Sequence, residues 1–92
     1  MNKIRVHVYI SGFVQGIFFR SNTKKKAFEL NLKGWVRNLH DGRVEAVFEG
    51  SKNDVLKMLE WCNVGPPRAQ IIDVNVKWEE YEGSFATFDI IY

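Results

Sequence analysis

Ninety-two residues make one domain near the small end of what buries a self-sufficient core. A composition that is 46% hydrophobic and 26% charged excludes a disordered chain and suits an ordinary globule. Thirteen basic residues against eleven acidic ones leave a formal charge of +2, too small and too interleaved to argue for nucleic acid or an anionic membrane.

Ile4, Val6, Val8 and Ile10 alternate with Arg5, His7, Tyr9 and Ser11, a period of two that predicts a strand with its even positions inward. Gly12 ends the pattern and opens a turn. A helix is expected over residues 21–31, capped by Ser21 or Asn22, with Thr23, Ala27 and Leu30 facing inward and Phe28 or Leu32 at the margin. Asn31 stands where a left-handed residue often ends a helix. Lys24, Lys25 and Lys26 read as a solvated helix face that could also draw a small anion toward the turn.

Residues 35–39 and 43–49 read as two strands joined by His40-Asp41-Gly42, since Asp-Gly is a hairpin turn; Gly50 is expected to break the second strand. Ser51 then caps a second helix, with Asp54 three residues on, and Val55, Met58, Leu59 and Cys62 make its core stripe. Gly65-Pro66-Pro67 stops it. Ile72, Val74, Val76 and Trp78 alternate with Asp73, Asn75 and Lys77 as a fourth strand, and Phe88, Ile90 and Tyr92 suggest a short last one. The order is a split βαβ pattern: an α+β, ferredoxin-like sandwich with an antiparallel sheet of four to five strands and two helices on one face.

Cys62 is the only cysteine, so no internal disulfide is possible; it is expected to be a buried, inert thiol. No apolar run is long enough for a signal peptide or a membrane span, and the chain is expected to be soluble and cytoplasmic. Neither histidine has an evident serine or cysteine partner, and both His7 and His40 are expected at the surface. No zinc spacing, calcium loop or nucleotide-binding P-loop stands in the chain.

What remains is residues 12–20, where a strand enters a turn with two glycines and leaves on an arginine at a helix start. Successive backbone N–H groups can converge there on a phosphate-like oxygen cluster, and the helix N-terminus adds partial positive charge. Arg20 supplies a planar fork of donors matched to phosphate. Taken singly, Arg20 reads as a surface ion-pair residue, Gln15 as a solvated loop side chain and Asn38 as a satisfied strand residue.

In combination, Gly12, Val14, Gln15, Gly16, Ile17, Phe19 and Arg20 resemble the first motif of the acylphosphatase family, with Ile17 for its valine. Gly34, Trp35, Val36, Asn38, Gly42, Val44 and Gly50 resemble its second. Departures are Asn31 for a glycine at the helix end and Ile91 for an arginine near the last residue.

The resemblance implies a single acylphosphatase-like domain over residues 1–92. It implies hydrolysis of acyl phosphates to carboxylate and inorganic phosphate, without metal or other cofactor. Arg20 and the turn of Val14, Gln15, Gly16, Ile17, Phe18 and Phe19 would bind phosphate, and Asn38 would orient the attacking water. Arg20 and Asn38 are thus the catalytic candidates. The expected partners are the small acyl phosphate and inorganic phosphate as product and competitive ligand, with no nucleic acid, no membrane and a monomeric chain.

Two other readings share the topology. One is an anion-binding or regulatory domain without turnover. The other is an RNA-binding module, against which Glu45 and Glu49 stand on the third strand in place of stacking aromatics.

Overall fold

The computed structural model describes residues 2–92; Met1, the first residue of the expected domain, lies outside them. In chain order it forms β1 (Lys3–Phe13), α1 (Phe19–Glu29), β2 (Lys33–Asn38), β3 (Val44–Ser51), α2 (Lys52–Val64), β4 (Gln70–Glu79) and β5 (Phe88–Ile90). The sheet order is β4-β1-β3-β2-β5. β1 pairs antiparallel with β3 and β4, and β3 pairs antiparallel with β2. β5, expected in an antiparallel sheet, instead runs parallel to β2, so the sheet is mixed.

One face of the sheet carries both helices. Val6, Val8 and Ile10 of β1 point into that layer, as their alternation predicts, and meet Phe48, Ala46 and Val44 across β3. Thr23 and Ala27 of α1 and Val55, Met58 and Cys62 of α2 close over them, while Leu30 and Leu59 are partly covered. Phe48 stacks on Phe88 with ring centroids 5.5 Å apart. Each such side chain, once fully buried, contributes about 1.5–3 kcal/mol. Burial pushes the Cys62 thiol up to about 12, in keeping with an inert core cysteine.

Ser51 caps α2 as expected, accepting from the Asp54 N–H at 3.3 Å and donating to Asp54 Oδ2 at 2.8 Å. Asn31 is left-handed (φ 57°). Asp41 closes the β2–β3 hairpin by accepting from the Arg43 N–H and from Arg43 Nε.

Other expectations meet a different outcome. α1 begins at Phe19, so Ser21 and Asn22 are not caps but lie in its first turn, where Asn22 Nδ2 donates to Phe18 O. Of Phe28 and Leu32, both offered for the helix margin, Leu32 is the one buried there and Phe28 is exposed. Gly50 does not break β3; its missing side chain makes room for Leu32 Cδ2, which lies 2.6 Å from where a Cβ would stand. In β4 the register shifts opposite Ser11 and Gly12, leaving Ile72 as the extra residue of a bulge. Ile71 takes the inward place expected of Ile72, which is 82% exposed, and Trp78, opposite Val6 on the edge strand, is also exposed.

The other face is covered by side chains alone. Glu45 and Glu49, outward on β3, are nevertheless buried, because long neighbours fold over them. Arg37 Nε donates to Glu45 Oε1 at 2.6 Å, and Arg5 Nη1 to Glu49 Oε2 at 3.3 Å. Glu49 also accepts from the Glu82 and Gly83 N–H groups, tying the segment after β4 onto the sheet. His7 is only partly exposed: its ring nitrogens sit 2.6 Å from Glu45 Oε2 and 3.1 Å from Glu79 Oε2. It is a bridge in a charged network, not the free surface residue its strand position suggested. The aromatic rings here are already occupied by cations of the same chain, Arg43 and Lys77 on Tyr9 and Arg37 on Trp35.

Two stability predictions arise. A Cβ on Gly34 would stand 1.9 Å from Val47 O, at φ 139°. Gly34→Ala should therefore destabilise the fold by about 2–5 kcal/mol in urea titration, through overlap plus backbone strain. An unchanged urea midpoint would contradict this close approach.

Glu45 gives a pH dependence. Burial alone would raise its carboxyl, but hydrogen bonds from His7 and Arg37 outweigh it and hold the group below its ordinary value. Its contribution is thus complete above the unfolded carboxylate value and is lost as pH falls through the lower folded one. Glu45→Gln should flatten the loss of stability measured between neutral pH and the acid end of the carboxylate range. An identical acid slope in the variant would remove Glu45 from the account.

Candidate active site

β1 and β2 both pair antiparallel with β3, so they run in the same direction and end at the same edge of the molecule. Ile10 and Asn38 are both opposite Val44, which sets the end of β2 level with the last core residue of β1. From there β1 runs on to Phe13, and the turn of residues 14–18 curls back over that edge.

Hidden side chains anchor the turn. Val14, Ile17 and Phe19 are buried in the core, and Phe19 meets Trp61 with ring centroids 5.6 Å apart. Between them the backbone is bent outward: Gly16 has φ 76° and Phe18, a residue with a side chain, has φ 62°. Phe18 is also the residue before α1, and no side chain caps that helix. Among the described residues, no backbone N–H from Gln15 to Ser21 donates to an acceptor within the chain. Asn22 N–H is the first to do so, to Phe18 O at 3.0 Å. A row of free donors beside the positive end of a helix suits a tetrahedral anion.

Arg20, in the first turn of α1, and Asn38, at the end of β2, line the same concavity of about 230 Å³ with Gly16 and Phe18. Arg20 meets no carboxylate side chain among the described residues, and its guanidinium lies 5.3 Å from the Tyr92 ring centroid. Asn38 Oδ1 is a buried acceptor with no hydrogen-bond partner. An acceptor left so costs about 1–3 kcal/mol, so a donor supplied from the cavity would be favoured there. A second lobe, about 480 Å³, shares Arg20 and Asn38 and extends past Gln15, Leu39 and His40. No Asp or Glu side chain lines either lobe.

Of the expected site residues, Val14, Gln15, Gly16, Phe18, Phe19, Arg20 and Asn38 line one lobe or the other and Ile17 lines neither, and not all are used in the expected manner. Val14, Ile17 and Phe19 can offer only backbone there, their side chains being core. Gln15 is not a solvated loop side chain: its Nε2 donates to Leu39 O at 2.8 Å and Arg43 O at 2.9 Å. Lys24, Lys25 and Lys26 lie outside both lobes, and Lys26 reaches toward Glu29 instead. The sequence reading missed Ile90 and Tyr92, which line the first lobe beside Asn38. Only the parallel pairing of β5 with β2, with Val36 opposite Ile90, puts them there. Among the described residues no group of His, Cys, Asp and Glu could hold a metal ion, and no helix is long and apolar enough to cross a membrane.

Comparison with known proteins points one way. The family model Acylphosphatase matches residues 6–90. An acylphosphatase of Pyrobaculum calidifontis is 54% identical over 89 residues, covering 96% of this chain and 81% of that protein. One of Chloroflexus aurantiacus is 52% identical over 92 residues, with both chains covered in full. The structure of an acylphosphatase from Coxiella burnetii superposes with TM-score 0.93 at 41% identity, covering 98% of this chain and 94% of that one. With the motif residues of the turn and of β2 gathered on one edge of the sheet, the chain belongs to the acylphosphatase family of enzymes.

Proposed function

We propose that this enzyme hydrolyses the carboxyl–phosphate bond of small acyl phosphates, as one catalytic unit over residues 1–92 that works in the cytoplasm. The observation that carries this reading is the meeting, in one concavity, of free backbone donors, an unpaired arginine and an orphan amide oxygen. The phosphoryl oxygens are held by the N–H groups of the turn and the helix start and by Arg20. These donors are fixed before substrate arrives, so they stabilise charge in the transition state with little reorganisation. Inorganic phosphate, offering the same oxygens, binds the same place as product and competitor.

Asn38 Oδ1 can only accept. It takes a hydrogen bond from the attacking water and so turns a lone pair of that water toward phosphorus. A carboxylate is a good leaving group and requires no positioned acid. No lobe-lining Asp or Glu is available as base, and a phosphoryl oxygen of the substrate takes the water proton. The cations and dipoles present supply the positive charge, and the reaction is written without a metal ion. Nucleic acid has no role in this reading, because the rings of the open sheet face are covered by their own cations.

Hydrolysis of benzoyl phosphate, followed by its ultraviolet absorbance in excess chelator, tests the proposal. Native protein should turn over at the same rate with and without chelator. Arg20→Ala should lose about 100- to 1,000-fold in kcat/KM and bind phosphate weakly, since its contact is made in ground and transition states alike. Asn38→Ala should lose about 100-fold in kcat while competitive inhibition by phosphate persists. No turnover in a folded, phosphate-binding protein would make the site an anion receptor. Full turnover in Asn38→Ala would leave the water without its assigned partner.

A further inference from the structure

Gln15 spends its amide on the β2–β3 hairpin. Both atoms facing Nε2 are carbonyl oxygens, so the end of the side chain that points at them is the amide nitrogen, and both of its hydrogens are used. The two carbonyls are not incidental. Arg43 O also accepts from the Leu39 N–H at 2.8 Å, and Leu39 O from the Gly42 N–H at 3.3 Å. Each carbonyl therefore accepts two hydrogen bonds, and together they close the turn that begins one residue after Asn38. Gln15 itself stands between Val14 and Gly16, inside the row of free donors.

Asn38 has no comparable support at its working atom, because Oδ1 is unpartnered. Its backbone is held by the ladder to Val44, and the ladder ends there. Beyond that point, among the described residues, the side-chain hydrogen bonds between the turn and the hairpin are those of Gln15. The geometry points to Gln15 as a positioning residue that fixes the distance between the phosphate cradle and Asn38, and hence between phosphorus and the attacking water. This rests on the reading of Asn38 as the residue that holds that water. The Gln15 side chain touches neither the substrate nor the water, and it acts only through Asn38; the backbone N–H of Gln15 belongs to the cradle and is unchanged by substitution of the side chain.

The test is a double-mutant cycle with benzoyl phosphate as substrate and inorganic phosphate as competitor. Gln15→Met keeps the length of the side chain and removes both donors. It should lower kcat by about 10-fold or more, since misplacement on the ångström scale has effects of this size, and shift the phosphate inhibition constant by less than about 3-fold. In an Asn38→Ala background the same change should alter kcat by less than about 2-fold, because residues acting through one another are not additive. Equal losses in both backgrounds would overturn the proposal, as would native kcat in Gln15→Met. A rise in the inhibition constant that matches the loss of kcat would do the same, by making Gln15 part of the cradle alone.

Gln15→Glu gives an independent readout if Gln15→Met does not fold. Ionised, its carboxylate faces two carbonyl oxygens; protonated, it can donate to one. Its kcat relative to native should therefore rise as pH is lowered, and a ratio that stays flat with pH would count against the strut. If Asn38→Ala itself retained full turnover, the water-holding reading would fall and this inference with it. A loss in Asn38→Ala with none in Gln15→Met would overturn this inference alone.

Discussion

Strand β3 is the member on which the rest of the molecule depends. It lies between β1 and β2 and opposes both, so those two strands are forced into the same direction and their C-terminal ends into the same edge. β5 joins β2 in parallel and finishes there too. Turn, asparagine and final tyrosine are thus delivered to one place from three distant segments. The burial of β3 on both faces follows from its position. Val44, Ala46 and Phe48 lie under the helices, and Glu45, Val47 and Glu49 under the charged carpet. A strand so enclosed has no freedom to slip by one residue, since a slip would exchange its carboxylates with its core.

The two helices begin in contrasting ways, and the contrast follows function. α2 starts on a serine whose side chain satisfies a backbone donor, a cap worth about 1 kcal/mol. α1 starts on a left-handed phenylalanine with no side-chain cap. A non-glycine residue in that region costs about 1 kcal/mol or more. Packing of Ile17 and Phe19 on either side holds Phe18 in that conformation. The local loss of stability leaves the first donors of α1 open to a ligand, and the buried neighbours keep them still. A conventional serine cap at position 18 would occupy the donors on which the proposed chemistry relies.

Much of this was legible in the chain, and what was not has identifiable causes. The alternation of β1, the Asp41-Gly42 turn, the Ser51 cap and the left-handed Asn31 are each written in a few adjacent residues, and each stands as read. Features set by a partner far away in sequence were not legible. Ile72 alternates perfectly with Val74 and Val76, yet a bulge against Ser11 and Gly12 turns it outward. Gly50 looks like a strand breaker until Leu32 is seen filling its place. At the site, both motifs put Arg20 and Asn38 forward, whereas Tyr92 depends on a parallel pairing that no local pattern encodes. Gln15 looked like loop because its partners are 24 and 28 residues away.

Net charge is a poor guide to the electrostatics of this molecule; the distribution is what matters. Arg5, Arg37 and Arg43 each meet a carboxylate, and with Glu45, Glu49 and Glu79 they neutralise the open face of the sheet from within. Those pairs bind strands together and present little field outward. Arg20 rests against an aromatic ring and meets no acidic side chain among the described residues, so no carboxylate competes with the concavity for its charge. A chain with a formal charge of only +2 can in this way hold an anion-seeking point, because the arginines of the open sheet face are matched to carboxylates while Arg20 is not. The same matching explains why composition alone gave no hint of an anionic ligand, while the order of residues 12–20 did.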